Sequence, residues 1–569
     1  MTFFRTAGLL ICSALLLVGQ VPDLILINGK IITVDPRETV AEAVAISGGK
    51  IVSVGRTAAI RLLAGPKTQV MDLGGKTATP GLIDTHCHFQ AASELFDVVL
   101  DGPEVSKIAD AVALVKARAA KTPAGEWIRG RGWDEGKFAE KRYLTAVDLD
   151  VVSPRNPVFL VQSTGHYAVA NSLAMRLAGV TRETKAPPAG TIDRDAAGNL
   201  TGVFKESATG LIRRKVPAFT KDELRQGLLR IIAEFNQEGL TGVKSARISQ
   251  VDWDLYNELL GANKLSVRVF ALWGGGTTLA SARAARDRVL SLPRAPEAIG
   301  GQLISGGVKL FMDGSGGART AWMYADYNKD FKDADTGNAG YPAADPEVYQ
   351  AQIKLLHDAN IHVGTHAIGD RAIDFVVDAY AAALKAHPVK GLRHSIIHAN
   401  TPTDHALDTM TMLQKQYDAG YPEIQAPFLW WLGDNYAGNL GAARALRLLP
   451  LKTMVNRGIL FGGGSDYSVA PLAARYGLWA SVERRTLRGT YGAQPFGTAE
   501  ALDIKTALKS YTIWAARQIF MEDKVGSIET GKEADIAVWD RDPYTVASSE
   551  LKNMKCVLTL FHGRVVYVK

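Results

Sequence analysis

The feature that most constrains this chain is an alternation: short β-branched runs, many closing on a polar residue, separated by segments of helical periodicity. The clearest runs are GLIDTHCHF, PVFLVQS, GLTGVKSA, LSVRVFALW, GGVKLFMDG, IHVGTHA, LRHSIIHAN, EIQAPFLW and GILFGGGSD. Between several of them lie amphipathic stretches such as DELRQGLLRIIAEFNQEG and YQAQIKLLHDAN. Strands that alternate with helices are joined by crossovers, which favours a parallel sheet. The polar residues follow the apolar part of each run, and in a β/α barrel that position is the C-terminal face, where active sites form. An α/β fold with a TIM-like (β/α) barrel is therefore expected, with an open doubly wound sheet as the competing arrangement.

The two ends of the chain read differently. DLILINGKIITVD, AEAVAISGGKIVSVG and TQVMDLGGKTATPG are short alternating runs broken by Asn-Gly or Gly-Gly, the pattern of hairpins. ADIAVWD and KCVLTLFHGRVVYVK repeat that style at the C-terminus. Neither half looks complete, so one small β unit built from residues 21–79 and 511–569 is expected, with the barrel over 80–510. The stretch of about 91–221 does not fit a regular barrel unit and reads as a large insertion after the first strand, covering the site.

Composition excludes several classes. The 569 residues carry 65 basic and 58 acidic side chains, a net charge of +7 without a dense basic stripe, so nucleic acid is not an expected partner. Cys12, Cys87 and Cys556 are the 3 cysteines, too few for a disulfide framework and without a CxxC pair. Residues 1–20 hold one Arg ahead of an apolar run too short for a comfortable membrane span, which reads as a secretory signal. The mature protein is then periplasmic or secreted, with no stable membrane span; a homo-oligomer stays open.

His86 and His88 form an HxH pair on a predicted strand, so both imidazoles face one side and can grip one ion while Cys87 faces the other. His366, His398 and Asp466 each end a different strand, which is how a barrel gathers distant ligands. Only 11 histidines are present, and four hold such positions. Mixed nitrogen and oxygen donors suit Zn2+, one ion or two, with other divalent transition metals open. Lys309 lies on a predicted strand as well; carbamylation to N6-carboxylysine would make it a bridging anion, whereas the plain alternative is a substrate-facing or snorkelling lysine. Glu206, reaching in from the insertion, is the competing bridge. The expected chemistry is metal-activated hydroxide attacking a polarised carbonyl, with Asp466 taking the proton and passing it to the leaving nitrogen. Arg319, His166, Trp133, Asp134 and Tyr467 are candidate substrate contacts. His362 and His394 read as deeper residues on the same side as the ligands. No Gly-x-Ser-x-Gly elbow, P-loop or dinucleotide fingerprint is present.

In order along the chain, NGKIITVD, PGLIDTHCHF, RGWDEG, STGHYAVANS, TGVFKESA, GVKLFMDGSGGARTA, THAIGD, RHSIIHAN, GGGSDYSV and GSIETGKEADIAVWDRDP resemble the amidohydrolase superfamily, in its amidohydrolase-3 (YtcJ-like) branch. The resemblance runs from about Asp23 to the C-terminus. It implies a composite β-sandwich from both termini beside the barrel, and hydrolysis of a non-peptide carbon–nitrogen bond of a small amide, formamide or carbamate-like substrate. It also implies first-strand ligands at His86 and His88, fifth- and sixth-strand ligands at His366 and His398, a carboxylated lysine at Lys309, and the eighth-strand aspartate at Asp466. Ile397 departs from the Glu more usual before the sixth-strand histidine. An esterase or lactonase using the same site, and a metal-retaining binding or regulatory protein without turnover, are the competing readings.

Overall fold

The computed structural model describes residues 21–90, 95–102, 104–294, 297–327, 337–489 and 497–569; the leader-like segment and Cys12 lie outside them. Eight parallel strands form the central sheet in sequence order: β1 (Leu82–Cys87), β2 (Leu240–Ile248), β3 (Arg268–Gly274), β4 (Leu303–Phe311), β5 (His362–Ala367), β6 (Ser395–His398), β7 (Tyr421–Ile424) and β8 (Gly462–Gly463). The ends of this sheet meet, because Thr85 Oγ1 donates to the Gly463 carbonyl (3.1 Å) and the Asp466 N–H donates to the His86 carbonyl (2.7 Å). The glycine run of LFGGGSD makes this seam possible. A Cβ on Gly462 would stand 2.4 Å from the Thr85 side chain, and one on Gly464 would stand 2.7 Å from the His86 nitrogen. The result is a TIM-like barrel, and every run from GLIDTHCHF to GILFGGGSD except PVFLVQS belongs to it.

Crossover helices cover the outside. The helix Lys221–Gln237 starts at a Thr220/Glu223 capping box and turns Leu228, Ile231, Ile232 and Phe235 onto the strands. The helix Asp370–Ala386 does the same with Ile373, Val376, Val377, Tyr380 and Leu384. Each such side chain contributes roughly 1.5–3 kcal/mol by leaving water.

PVFLVQS forms the strand Val158–Gln162 of a separate six-stranded sheet that runs from Val98–Val99 to Leu200–Glu206 in the chain. Its core is Val98, Ile128, Trp133, Leu160, Tyr167 and Val203, with Trp133 fully buried. The chain termini meet in a third unit. Thr77–Pro80 pairs antiparallel with Ile536–Trp539, Ala78 opposite Val538, in a six-stranded sheet that also takes Cys556–Phe561 and Arg564–Val568. A four-stranded sheet of N-terminal strands supplies Leu24, Leu26, Val44 and Ile46 to a core with Ile536, Val538, Leu558 and Leu560. The fold is thus a barrel with a composite β-sandwich from both ends. Among the described residues no helix is long and apolar enough to cross a membrane.

Candidate active site

The C-terminal rim of the barrel collects residues from strands far apart in sequence. One ligand atom each from His86, His398 and Asp466 lie within 4.8 Å of one another, and all three residues are buried. The Nε2 atoms of His86 and His88 both stand 3.2 Å from Asp466 Oδ1. That spacing is close to the edge of a tetrahedron built on bonds of about 2.0–2.2 Å. Asp466 Oδ1 is buried without a hydrogen bond, an expensive state for a carboxylate oxygen unless a cation completes it. The donor set therefore fits a divalent metal ion. Burial alone would raise the Asp466 carboxyl, but the imidazoles of His86 and His88 hold it well below the ordinary carboxylate range.

Neighbouring groups fix which nitrogens face this centre. His398 Nδ1 donates to Gln425 Oε1 at 2.6 Å, which leaves Nε2 with its lone pair. His86 Nδ1 points at Glu423 Oε2, 3.5 Å away, and Glu423 Oε1 accepts from Lys244 Nζ at 2.5 Å. Lys244 and Glu423 are fully buried in the barrel interior. Burial would raise the Glu423 carboxyl, yet Lys244 and His86 keep it strongly depressed. Below them Asp84 accepts from Ser465 Oγ (2.5 Å) and from the His86 N–H (3.0 Å), while burial pushes its carboxyl up to about 7.

His366 stands beside the cluster, its ring centroid 4.5 Å from that of His398, and its Nε2 donates to the Gly314 carbonyl at 2.8 Å. That bond leaves Nδ1 as its free ligand atom. Its other neighbours are Phe311, at 5.1 Å, and His166, at 5.0 Å between ring centroids. His166 Nδ1 lies 2.9 Å from Glu206 Oε2, and Glu206 Oε1 accepts from Thr320 Oγ1 at 2.5 Å. Burial would lower the His166 imidazole, but the Glu206 carboxylate holds it above its ordinary value. Lys309 is 1% exposed, and burial pushes its amine down to about 7 against the pull of Asp466 and Glu423.

The remaining candidates separate. Tyr467 is buried beside Asp466, its ring 5.7 Å from the Arg131 guanidinium. Trp133 is sealed in the core of the inserted sheet and donates its indole N–H to the Leu160 carbonyl, a packing position rather than a lining one. Asp134 turns to its own loop, accepting from the Gly136 N–H and from Asn435. Arg319 is buried and donates from Nε to Asn439 Oδ1, which ties the loop after β4 to the helix Gly433–Leu440.

A further expectation needs correcting. His394 does not share the side of the ligands: its Nε2 meets His357 Nδ1 (3.0 Å) and its ring stacks on Tyr380, both in the outer helices. Ser395, the next residue, faces inward and receives Lys244. Strict alternation would then send His398 outward, but its φ of 78° turns it into the barrel. Asp466 (φ 55°) and Glu206 (φ 51°) are likewise in the left-handed region, which costs of order 1–3 kcal/mol each and recurs at functional sites. His362 does face inward, below the site, against Phe270.

Sequence reasoning passed over Lys244, Glu423, Gln425 and Asp84. A signal existed: each is a polar residue in an apolar run, and Asp84 shares the parity of His86.

Fold and site together define a metal-dependent hydrolase of the barrel type. The chain belongs to the amidohydrolase family, whose pattern matches residues 69–567, and so to the enzymes that hydrolyse carbon–nitrogen bonds. It is similar to the N-substituted formamide deformylase of Arthrobacter pascens, 29% identical over 96% of this chain and 99% of that protein. It is also similar to YtcJ of Bacillus subtilis, 28% identical over 93% and 96% of the two chains. Among solved structures, an uncharacterized metal-dependent hydrolase from Pyrococcus horikoshii covers 92% of this chain and 99% of its own, with 25% identity and a TM-score of 0.69.

Proposed function

We propose that this enzyme hydrolyses the carbon–nitrogen bond of a small N-substituted amide, of the formamide or carbamate kind, with His86, His88, His366, His398 and Asp466 holding zinc. The observation that carries the reading is the buried Asp466 Oδ1, without a hydrogen bond and 3.2 Å from each of two imidazole nitrogens. A divalent ion held there would lower the pKa of water towards neutrality and polarise a carbonyl oxygen. Asp466 takes the proton of the attacking water and returns it to the leaving nitrogen. His166, whose imidazole Glu206 raises above its ordinary value, faces the same space and in its protonated form donates to the developing charge on the substrate oxygen. Lys309, as N6-carboxylysine, would supply the further anionic ligand rather than Glu206, because both Glu206 oxygens already contact His166 and one also accepts from Thr320. Likeness to a formamide deformylase over nearly the whole chain supports the substrate class. Residues 1–20 read as a secretory leader, which makes the working compartment periplasmic or extracellular. The test is a screen of matched formamides, carbamates and esters with zinc-loaded protein and mass-spectrometric detection of products. Turnover of a formamide or carbamate is the expected result; turnover of esters alone would favour an esterase, and turnover of nothing a binding protein.

A further inference from the structure

Among the described residues, two arginines at the barrel mouth have no partner of opposite charge. Arg247 is the last residue but one of β2, and Arg213 ends the short helix Gly210–Arg213 that follows Glu206 in the inserted unit. Both are exposed, and among the described residues neither side chain makes a hydrogen bond or an ion pair. They are near enough for Arg247 to disfavour the charge on Arg213, and surrounding protein lowers both guanidinium groups although each still reaches water.

Arg247 adjoins the reaction centre. The Arg247 guanidinium lies 5.7 Å from the centroid of the Phe311 ring. The same ring is 5.1 Å from the His366 ring and 4.8 Å from Lys309 Nζ. Arg247 is held at a φ of 58°, strained for a non-glycine residue, while Gln90 Nε2 donates to its carbonyl at 2.8 Å. The fold thus fixes a cation without a counterion among the described residues beside the aromatic wall of the site, and a second one, from another structural unit, is close enough to feel its charge. Like charges kept together without counterions gain most from an anion, and the planar guanidinium fork matches a carboxylate in two parallel hydrogen bonds.

We infer that Arg213 and Arg247 form a carboxylate-binding subsite, so that the preferred substrate is an amide carrying an acidic group several bonds from the scissile carbon–nitrogen bond. This deepens the proposed function and rests on it for the identity of the scissile bond. Binding and turnover separate the two claims. N-formyl-6-aminohexanoate and N-pentylformamide differ by one carboxylate held several bonds from the formamide, and each is titrated calorimetrically into the zinc-loaded Asp466→Asn protein. The acidic compound is expected to bind about tenfold more tightly or better. Combining Arg213→Met with Arg247→Met removes that preference and leaves binding of the neutral compound unchanged. If the double variant fails to fold, Arg247→Gln alone reduces the preference severalfold. Equal affinities in the parent protein, a preference that survives loss of both arginines, or binding of neither compound overturns the subsite. A wild-type enzyme that turns over neither compound, with the binding preference intact, sinks the assigned reaction and leaves the subsite standing.

Discussion

The barrel interior holds two polar layers, and they differ in how their charges are satisfied. In the lower layer Lys244 and Glu423 meet at 2.5 Å, and Asp84 takes hydrogen bonds from Ser465 and the His86 N–H. In the upper layer His86, His88, His398 and Asp466 crowd together, yet Asp466 Oδ1 has no hydrogen bond. Buried polar groups that satisfy one another act as scaffold, whereas a buried group left open marks where something else must bind. Glu423 links the layers, with one oxygen on Lys244 and the other facing His86 Nδ1 at 3.5 Å.

Breaking each layer should give opposite outcomes. Asp466→Asn should lower kcat by about 10³–10⁴-fold, because proton transfer is lost, while the melting temperature and most of the bound metal are retained. A metal-loaded variant with a near-normal rate would remove Asp466 from that role. Lys244→Met should instead destabilise the fold by roughly 3–5 kcal/mol, since it leaves the Glu423 charge buried and unpaired. Pairing Lys244→Met with Glu423→Leu should recover most of that loss in denaturant titrations. Failure to recover it would mean that Glu423 matters more as the support of His86 than as the partner of Lys244.

The histidines sharpen the same contrast. On the outer face the Val363 N–H donates to His394 Nδ1, His394 Nε2 meets His357 Nδ1, and His357 Nε2 meets the His387 carbonyl, so both rings are held neutral. Burial pushes His394 down to about 3. Its folded value lies below the unfolded value of about 6.5, so its contribution is complete above that value and declines as pH falls toward 3. Urea unfolding at pH 5 should show a loss of about 2 kcal/mol relative to pH 8 from this group. His394→Gln should remove that portion of the pH dependence; an unchanged pH slope would contradict the neutral chain. The smallest effect is expected at Gln425. Gln425→Leu releases His398 Nδ1 and should weaken metal affinity about tenfold with little change in folding, measured by competition with a chromophoric chelator.

These contrasts also show what sequence can carry. His86 and His88 were legible because a two-residue period is a property of any strand, and His366 and Asp466 because they close apolar runs. The composite sandwich was legible because neither end of the chain supplied a complete set of hairpins. His398 is expected as a ligand because it closes an apolar run, and what fails is the placing of His394 on its side by even spacing: His398 faces inward through a positive φ, out of alternation with His394. Lys244 and Glu423 stayed hidden because a single charge in an apolar strand looks the same whether it snorkels to solvent or meets a partner 179 residues away. Arg213 and Arg247 carry no motif, and only the approach of the inserted unit to β2 makes them neighbours.

The central claim is that the upper layer exists to hold a metal ion needed for turnover. The direct measurement is metal content by mass spectrometry alongside hydrolysis rate, before and after exhaustive chelation and on adding zinc back. The account predicts one or two ions per chain, loss of activity in step with their removal, and recovery in step with their return. A chain stripped of metal that still hydrolyses its substrate at the original rate would contradict it.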